Sequence, residues 1–225
     1  MWKELNNELI SCKSCPRLVA WREKVAREKR HAYKDQEYWG KPVPGFGDRD
    51  ARILIVGLAP GAHGSNRTGR MFTGDASGDF LYPALYRVGF ANQLKSNNRY
   101  DNLLLVDVFI TAVCRCVPPK NKPTREEMEN CRSYLLEEIK LLKNLEGIVV
   151  LGRIAFNNIL KIYAQTYQIS LNQRMKFSHG AFKKFSRGVP WLLVSYHPSR
   201  QNTQTGRLSV EMFDNIWQQA KSLIA

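Results

Sequence analysis

The stretch ILIVGLAPGAHGSNRTGRMFTGDASG, residues 53–78, decides the fold. It begins with an apolar run, and six of the chain's 15 glycines follow between Gly57 and Gly78. A short, β-branched run that enters a glycine-rich loop is typical of a buried parallel strand. Ligands bind beyond the carboxyl ends of such strands in α/β sheets. The stretch therefore predicts an α/β fold and a candidate functional site in its glycine-rich loop.

Apolar runs alternate with helical spacing along the rest of the chain. Strands are predicted near residues 52–56, 103–109, 147–151 and 191–196. Helices are predicted over residues 3–30, 80–88, 125–142, 154–163 and 208–223, and Thr124 with Glu126 and Glu127 predicts the start of the third. A loop rich in glycine and proline covers residues 35–50. This alternation indicates a mainly parallel sheet with helices on both faces.

The length and the charge limit the organisation and the partners. A chain of 225 residues that is 44% hydrophobic fits one domain, residues 1–225, with a helical N-terminal region over residues 1–50. Its net charge is +14, and the positive residues recur along the whole length. Such a surface attracts polyanions such as nucleic acid, although a well-solvated basic surface would carry the same charge.

The sequence predicts neither a membrane span nor a signal peptide. No stretch approaches the roughly 20 apolar residues that a transmembrane helix needs, and the N-terminus has no apolar core followed by a cleavage site. We therefore expect a cytoplasmic protein that does not contact membranes. In that reducing compartment the five cysteines are not expected to form disulfides.

The cysteine spacing predicts a site with four thiolates. Cys12 and Cys15 form a C-x-x-C motif, and Cys116 and Cys131 supply two more thiols later in the chain. Zinc and an iron–sulfur cluster both accept four cysteines, so the spacing does not choose between them. Cys114 is the predicted spare, because it and Cys116 would point to opposite faces of an extended segment. A redox pair or plain buried thiols is the alternative.

Three polar loops are predicted to follow strands and to meet at one edge of the sheet. They cover residues 57–78, 115–123 and 197–206. The first contains neither G-x-x-x-x-G-K-S/T nor G-x-G-x-x-G, which argues against nucleotide hydrolysis and dinucleotide redox chemistry. Polar and aromatic candidates in these loops are His63, Asn66, Arg67, Arg70, Phe72, Asp75, Lys120, Asn121, Lys122, His197, Ser199, Arg200 and Asn202.

Four motifs give the chain a resemblance to a known family. They are CKSCPRL from Cys12, GLAPGAHGSNRTGRMFTGDASG, CVPPKNKPTREEMENC and HPSRQN. With these motifs the chain resembles the family 5, or B-type, uracil-DNA glycosylases of archaea and thermophilic bacteria over nearly its whole length. The resemblance implies a three-layer α/β/α sandwich with a central, mainly parallel, four-stranded sheet. It also implies a [4Fe-4S] cluster rather than zinc, with Cys12, Cys15, Cys116 and Cys131 as ligands.

The same resemblance implies roles for the loop residues. Asp75, His197 and Asn121 would be catalytic. His197 would donate to the base carbonyl beside the scissile bond, and Asp75 would orient water or stabilise the sugar cation. Substrate would contact Gly57, Ala59, Phe72, Asn121 and His197, with Phe72 stacking on the base. Asp75 could instead be only the N-cap of the following helix.

The implied partner is DNA that carries deaminated bases, bound by a monomer. Contacts to DNA are predicted for Arg67, Arg70, Ser199, Arg200 and Asn202. Thr111 stands where A-type enzymes carry a uracil-reading asparagine, which suggests that hypoxanthine and xanthine are also accepted. The alternative is a non-catalytic, redox-sensing protein that binds nucleic acid. Zinc-dependent deamination is disfavoured because the sequence pairs no H-x-E with P-C-x-x-C.

Overall fold

A six-stranded sheet between two layers of helices forms the centre of the computed structural model, which describes residues 1–169 and 175–225. Its strands are β1 (Phe46–Gly47), β2 (Ile53–Gly57), β3 (Val108–Ala112), β4 (Gly147–Leu151), β5 (Phe182–Lys183) and β6 (Trp191–Ser195). Its α-helices are α1 (Trp2–Ser11), α2 (Pro16–Glu28), α3 (Ser65–Thr68), α4 (Ala76–Arg87), α5 (Arg125–Leu141), α6 (Arg153–Thr166), α7 (Arg200–Gln204) and α8 (Val210–Ser222). Short 3₁₀ turns cover His31–Tyr33 and Pro119–Asn121.

The strand order is β1-β3-β2-β4-β6-β5. The four inner strands are parallel, as predicted, and their register pairs Gly57 with Ala112 and Leu151 with Ser195. The two outer strands were not predicted. Each is antiparallel to its neighbour and is two residues long. A strand of two residues is too short to show a periodic pattern in the sequence. The carboxyl ends of all four inner strands therefore lie at one edge of the sheet.

Strand β3 begins later than predicted. Asp107 has φ +62°, a left-handed conformation that no extended strand contains, so the strand starts at the next residue. The Asp107 carboxylate accepts hydrogen bonds from Arg52 at 2.9 and 3.0 Å. Leu105, inside the predicted strand, forms an isolated antiparallel bridge with Ala91.

Alternate side chains of the inner strands enter two separate cores. Ile53 and Ile55 pack in the core that α4 and α8 cover, whereas Leu54 and Val56 pack in the core that α5 and α6 cover. Residues of one strand alternate between faces, so a strand that is buried on both faces is apolar throughout. This arrangement confirms the three-layer sandwich.

The N-terminal region consists of two helices. Pro16 occupies the first turn of α2, a position that proline favours because its missing N–H would have no helical partner there. Leu5 and Leu9 of α1 pack with Tyr134 of α5. The break between α1 and α2 holds Cys12 and Cys15, so the fold presents both thiols at a helix junction.

Two helix starts are fixed by side-chain caps. Thr124 forms the predicted start of α5 as a capping box with Glu127. Helix α4 begins at Ala76, earlier than predicted, because Asp75 caps it. No helix in the described parts of the chain is long and apolar enough to cross a membrane.

Candidate active site

The three predicted loops meet in one cleft of about 810 Å³ at the carboxyl edge of the sheet. The predicted residues that line it are Ala59, His63, Phe72, Asp75, Lys120, Asn121, Lys122, His197, Ser199 and Arg200. The predicted residues that do not line it are Gly57, Asn66, Arg67, Arg70 and Asn202. The cleft is thus assembled from loops after β2 and β3 and from the segment after β6.

Phe72 forms an aromatic wall of the cleft. Its side chain is 8% exposed, and its ring centroid lies 6.0 Å from that of His197 with the planes tilted by 31°. A Cβ on Gly57 would come within 2.8 Å of the Phe72 ring. Gly57 was predicted to contact substrate. The structure corrects this: Gly57 does not line the cleft, and its lack of a side chain provides the space that the Phe72 ring occupies.

Asp75 is both a helix cap and a cleft residue. Its Oδ1 accepts hydrogen bonds from the backbone N–H groups of Ser77 and Gly78 at 3.1 and 3.2 Å. Its Oδ2 faces Gly61 and Gly64, where any side chain would collide with the carboxylate. Burial raises the pKa of Asp75, and the two backbone hydrogen bonds oppose that shift. The cap orients the carboxylate and leaves Oδ2 available to chemistry in the cleft.

His197 follows β6 and carries a neutral ring. Burial lowers its pKa to about 4, so near neutral pH the imidazole has one N–H donor and one acceptor nitrogen. Among the described residues, none forms a hydrogen bond with the ring. Gly152, with φ +96°, leaves room beside the His197 side chain. The ring is therefore held by packing, and its nitrogens remain available to a ligand.

Asn121 lies on the opposite loop, at the end of the 3₁₀ turn after β3. Lys120 and Asn121 both have left-handed φ values, +53° and +56°. Asn121 is exposed, and its amide forms no hydrogen bond with any described residue. It could therefore turn its donor and acceptor toward a ligand in the cleft.

Arg67 was predicted to bind DNA, and the structure corrects this. It is 8% exposed, and its guanidinium donates to the His63 and Gly74 carbonyl oxygens and to Gln36 Oε1. The guanidinium also stacks 4.0 Å from the Tyr33 ring centroid. Arg67 holds the glycine-rich loop together from inside.

Arg70 is corrected in the same way. It is 4% exposed and forms an ion pair with Asp101 at 2.7 Å. Its remaining bonds go to Thr73 Oγ1 and Ser96 Oγ at 2.9 Å each. These contacts leave the side chain inside the protein, away from any phosphate.

The segment after β6 divides into surface and supporting residues. Ser199 and Arg200 line the cleft, and Arg200 is exposed. Asn202 does not line it. Its Nδ2 donates to the His197 carbonyl oxygen at 2.8 Å. The predicted DNA contact is therefore replaced by a positioning role, since Asn202 fixes the turn that carries His197.

Positive side chains surround the cleft. Arg30, Lys120, Lys122 and Arg200 line it and are exposed, whereas Asp75 is its one acidic residue within the described chain. Arg30 and its neighbour Tyr33 were missed, although the basic run REKRHAYK contains both. An exposed cationic rim around a concave site favours an anionic ligand.

Thr111 does not reach the cleft. It is fully buried, and its Oγ1 donates to Glu138 Oε2 at 2.6 Å. Glu138 also forms a buried ion pair with Arg115. Ala112, the next residue, lines the cleft instead. Thr111 therefore faces α5 and does not contribute a side chain to the cleft.

Cys12, Cys15, Cys116 and Cys131 line a second, smaller cavity, together with Arg22 and Tyr134. Cys114 does not line it and packs in the same core cluster as Cys131, and the segment bends there instead of remaining extended as predicted. Among the described residues, no three His, Cys, Asp or Glu side chains are grouped closely enough to hold a single metal ion. A cluster spreads its four thiolates around several irons and does not require ligands to converge on one point.

Two of the four cavity cysteines accept a hydrogen bond from a side chain. Arg22 Nη1 lies 3.0 Å from Cys116 Sγ, and Asn130 Nδ2 lies 3.6 Å from Cys15 Sγ. The buried Nε atoms of Arg22 and Arg115 have no partner among the described residues. This donor-rich cavity fits an anionic, thiolate-bound group.

Sequence comparisons identify relatives along nearly the whole chain. Residues 44–221 match the uracil DNA glycosylase superfamily. A type-5 uracil-DNA glycosylase of Thermus thermophilus is 51% identical over 215 residues, which cover 96% of this chain and 94% of that relative. Type-5 uracil-DNA glycosylases of Mycobacterium leprae and Pyrobaculum aerophilum are 48% and 44% identical, covering 98% and 95% of this chain and 94% and 89% of their own lengths. The chain therefore belongs to the uracil DNA glycosylase superfamily and to its type-5 group.

Proposed function

We propose that this protein excises uracil from DNA by hydrolysing the N-glycosidic bond, which leaves an abasic site. The observation that carries the proposal is the meeting of Phe72, Asp75, Asn121 and His197 in one cleft. Its type-5 relatives are named uracil-DNA glycosylases. A non-catalytic binding protein would have no need of this set, and no named relative supports that alternative.

Base recognition would begin when the target nucleotide leaves the stack. The Phe72 ring offers a flat apolar surface on which the base can lie. The Asn121 amide offers both a donor and an acceptor to the base edge. A cleft of about 810 Å³ also has room for purines, which supports acceptance of hypoxanthine and xanthine as further deaminated bases.

Cleavage would leave the bonding electrons on the base and positive charge on the sugar, as in other glycoside hydrolyses. Neutral His197 would donate its N–H to the base carbonyl beside the breaking bond, where negative charge develops. A donor held by packing does not have to reorganise as the charge develops. His197 would therefore stabilise the departing uracil anion more strongly than the intact base.

Asp75 would act on the sugar side. Its Oδ2 would stabilise the sugar cation or orient the water that attacks C1′, while Oδ1 stays bonded to the start of α4. Attack by water forms the new C1′–O bond, and the proton that the water loses passes to Asp75 or to solvent. The fixed Oδ1 keeps the carboxylate oriented before the reaction begins.

The exposed rim would hold the DNA. Arg30, Lys120, Lys122 and Arg200 come from three separate segments of the chain and surround the cleft entrance. Their charges would contact phosphates, which position a duplex without reading its sequence. Because one chain supplies the whole cleft, the protein would act as a monomer.

A [4Fe-4S] cluster would be held by Cys12, Cys15, Cys116 and Cys131. The iron–thiolate bonds that it supplies would fasten the junction of α1 and α2 to α5 and to the loop after β3. Of the cleft residues, Lys120, Asn121 and Lys122 lie on the same loop as Cys116, and the others come from other segments. The cluster would therefore stabilise the fold that positions the cleft.

The test uses purified, cluster-loaded protein and end-labelled duplexes that differ only at one position, uracil or thymine. Alkali treatment after incubation should cut the uracil strand at that position and leave the thymine strand intact. Asp75→Asn should lose most of this activity while it still binds the duplex. Tight binding of both duplexes with no alkali-labile site in uracil, hypoxanthine or xanthine duplexes would contradict the proposal.

A further inference from the structure

A second histidine, His63, lies on the wall of the cleft between β2 and α3. Its Nδ1 lies 3.0 Å from the hydroxyl oxygen of Tyr38. Tyr38 is 7% exposed, and its ring meets the imidazole edge-on at 6.1 Å. One ring nitrogen of His63 is therefore fixed by a buried partner that lies outside the three predicted loops.

The Tyr38 contact determines which nitrogen of His63 carries the proton. The Tyr38 oxygen accepts the backbone N–H of Arg30 at 3.3 Å. Among the described residues, His63 Nδ1 is the one acceptor for the hydroxyl proton, and buried donors are rarely left unpaired. Tyr38 therefore donates to Nδ1. A neutral imidazole whose Nδ1 accepts has its proton on Nε2.

The surroundings keep this ring neutral. Burial and the positive charges of Arg30 and Arg67 lower the pKa of His63. No described residue accepts a hydrogen bond from Nε2. The structure thus presents an unused N–H donor at the wall of the cleft.

The loop that carries His63 is held on two further sides. The Nε of Arg67 donates to the His63 carbonyl oxygen at 2.7 Å. Gly61 and Gly64, on either side of His63, pack against the Asp75 carboxylate. The donor is therefore fixed next to the residue that acts on the sugar, and binding needs little further ordering of the loop.

We propose that His63 Nε2–H donates a hydrogen bond to a phosphate oxygen beside the flipped nucleotide and holds that nucleotide in the cleft. The inference rests on the proposed function. A phosphate is the acceptor because the exposed cation Arg30 lines the same wall, which favours an anion over an uncharged carbonyl. His63 then positions the substrate for His197 and Asp75.

The first test compares His63→Ala, His63→Gln and the control His31→Ala. His31 is exposed and does not line the cleft. His63→Ala should lower kcat/KM for uracil excision roughly 10- to 100-fold, the effect of one hydrogen bond to a charged group. The glutamine amide can supply an N–H near the Nε2 position, so His63→Gln should recover most of that loss. A merely structural role would not be rescued in this way.

The second test removes the phosphate charge instead of the histidine. Each phosphate that flanks the uracil is replaced in turn by a neutral methylphosphonate. At one of these positions, the methylphosphonate should lower kcat/KM of the wild-type enzyme about as much as His63→Ala lowers it on normal DNA. The same methylphosphonate should cause no further loss of kcat/KM in His63→Ala. Fully additive losses at every position would overturn the inference and would indicate a contact with the base.

The outcomes separate this inference from the proposed function. A wild-type protein that leaves uracil in DNA contradicts the proposed function. Wild-type excision that His63→Ala leaves unchanged, with both proteins folded, overturns this inference alone. If His63→Ala does not fold, kcat/KM on the methylphosphonate duplexes is measured for His63→Gln instead. Equal sensitivity of His63→Gln and wild type at one position supports the contact, and insensitivity of both at every position overturns it.

Discussion

The carboxylate of Asp75 occupies the space that a side chain on Gly64 would need. A Cβ built on Gly64 would overlap Asp75 Oδ2 and lie within 2.8 Å of the Asp75 Cβ. A Cβ on Gly61 would meet Oδ2 alone, at 2.7 Å. The glycines of the first loop thus enclose the carboxylate at close range, and the position of Asp75 depends on them.

Gly64→Ala should therefore displace Asp75 and slow excision. A displacement of about 1 Å can cost on the order of 100-fold in rate, so we expect a loss of that size. Gly61→Ala, with one milder contact, should lose less. Single-turnover rates of both variants, with thermal unfolding as a control for the fold, check this order. A Gly64→Ala variant with the wild-type rate would contradict the role given to the carboxylate.

His197 should act as a neutral donor throughout the physiological pH range. Its pKa in the folded protein is about 4, below the value of about 6.5 for a free histidine. The single-turnover rate should therefore show no loss from His197 as the pH rises from about 6 to 8. An imidazolium donor would instead lose activity as the pH rises through its pKa, and that loss would disappear in His197→Gln.

The same shift predicts how stability depends on pH. The unfolded chain binds a proton at His197 between about pH 6.5 and 4, whereas the folded protein does not. The contribution of this residue to the free energy of unfolding is therefore lost as the pH falls through that range. Urea unfolding at several pH values should show a shallower acid loss for His197→Gln than for wild type. Identical slopes would count against the burial of His197.

Much of the fold followed from the sequence, and the exceptions have physical causes. Strands β2, β4 and β6 are fully buried runs, apolar except for Ser195, that end at polar loops, which is a strong pattern. The run before β3 is apolar over a longer stretch, so periodicity could not locate its start. That start depends on the left-handed Asp107 and its contact with Arg52, which is a tertiary interaction.

The candidate site was predicted well where loops follow strands and poorly where charges are buried. Arginines are mostly exposed, which made Arg67 and Arg70 natural candidates for DNA contacts. Their partners, Gln36 and Asp101, each lie 31 residues away along the chain, and no local pattern reveals them. Arg30 was missed because nothing local shows that the N-terminal region reaches the cleft.

The buried and exposed arginines should respond differently to substitution. Arg200→Gln should reduce the slope of log affinity for duplex DNA against log salt by about 1 and leave stability unchanged. Arg70→Gln should instead destabilise the fold by about 1.5–3 kcal/mol, because the partly buried Asp101 carboxylate loses its charged partner. Salt titrations and urea unfolding of both variants check this. If Arg70→Gln lowered the slope of log affinity against log salt and Arg200→Gln did not, Arg70 and not Arg200 would be the residue that contacts DNA.

The cluster proposal predicts a contrast between two neighbouring cysteines. Cys116→Ala should lose bound iron and visible absorbance, because Cys116 lines the four-cysteine cavity. Cys114→Ala should keep both, since Cys114 lies outside that cavity even though it packs with Cys131 in the core. Iron analysis and absorbance spectra of the two proteins decide this. Equal iron content in both variants would contradict the ligand set.

Arg22 should protect the cluster without acting as a ligand. Its Nη1 donates to Cys116 Sγ, and its side chain is 3% exposed. The cluster of Arg22→Gln should therefore lose its visible absorbance in air faster than that of wild type. Arg27→Gln, an exposed change on the same helix, should match wild type. The time course of visible absorbance measures the difference. Equal bleaching of all three proteins would show that the Arg22 bond does not matter to the cluster.

The most direct test of the central claim is the single-turnover rate of uracil excision by wild type and His197→Ala, with duplex affinity measured in parallel. The account predicts a rate loss of about 100-fold or more, typical of removing a transition-state donor, and an affinity within a few-fold of wild type. Equal rates for the two proteins, or a loss that appears only in affinity, would contradict the assignment of His197 to the departing base.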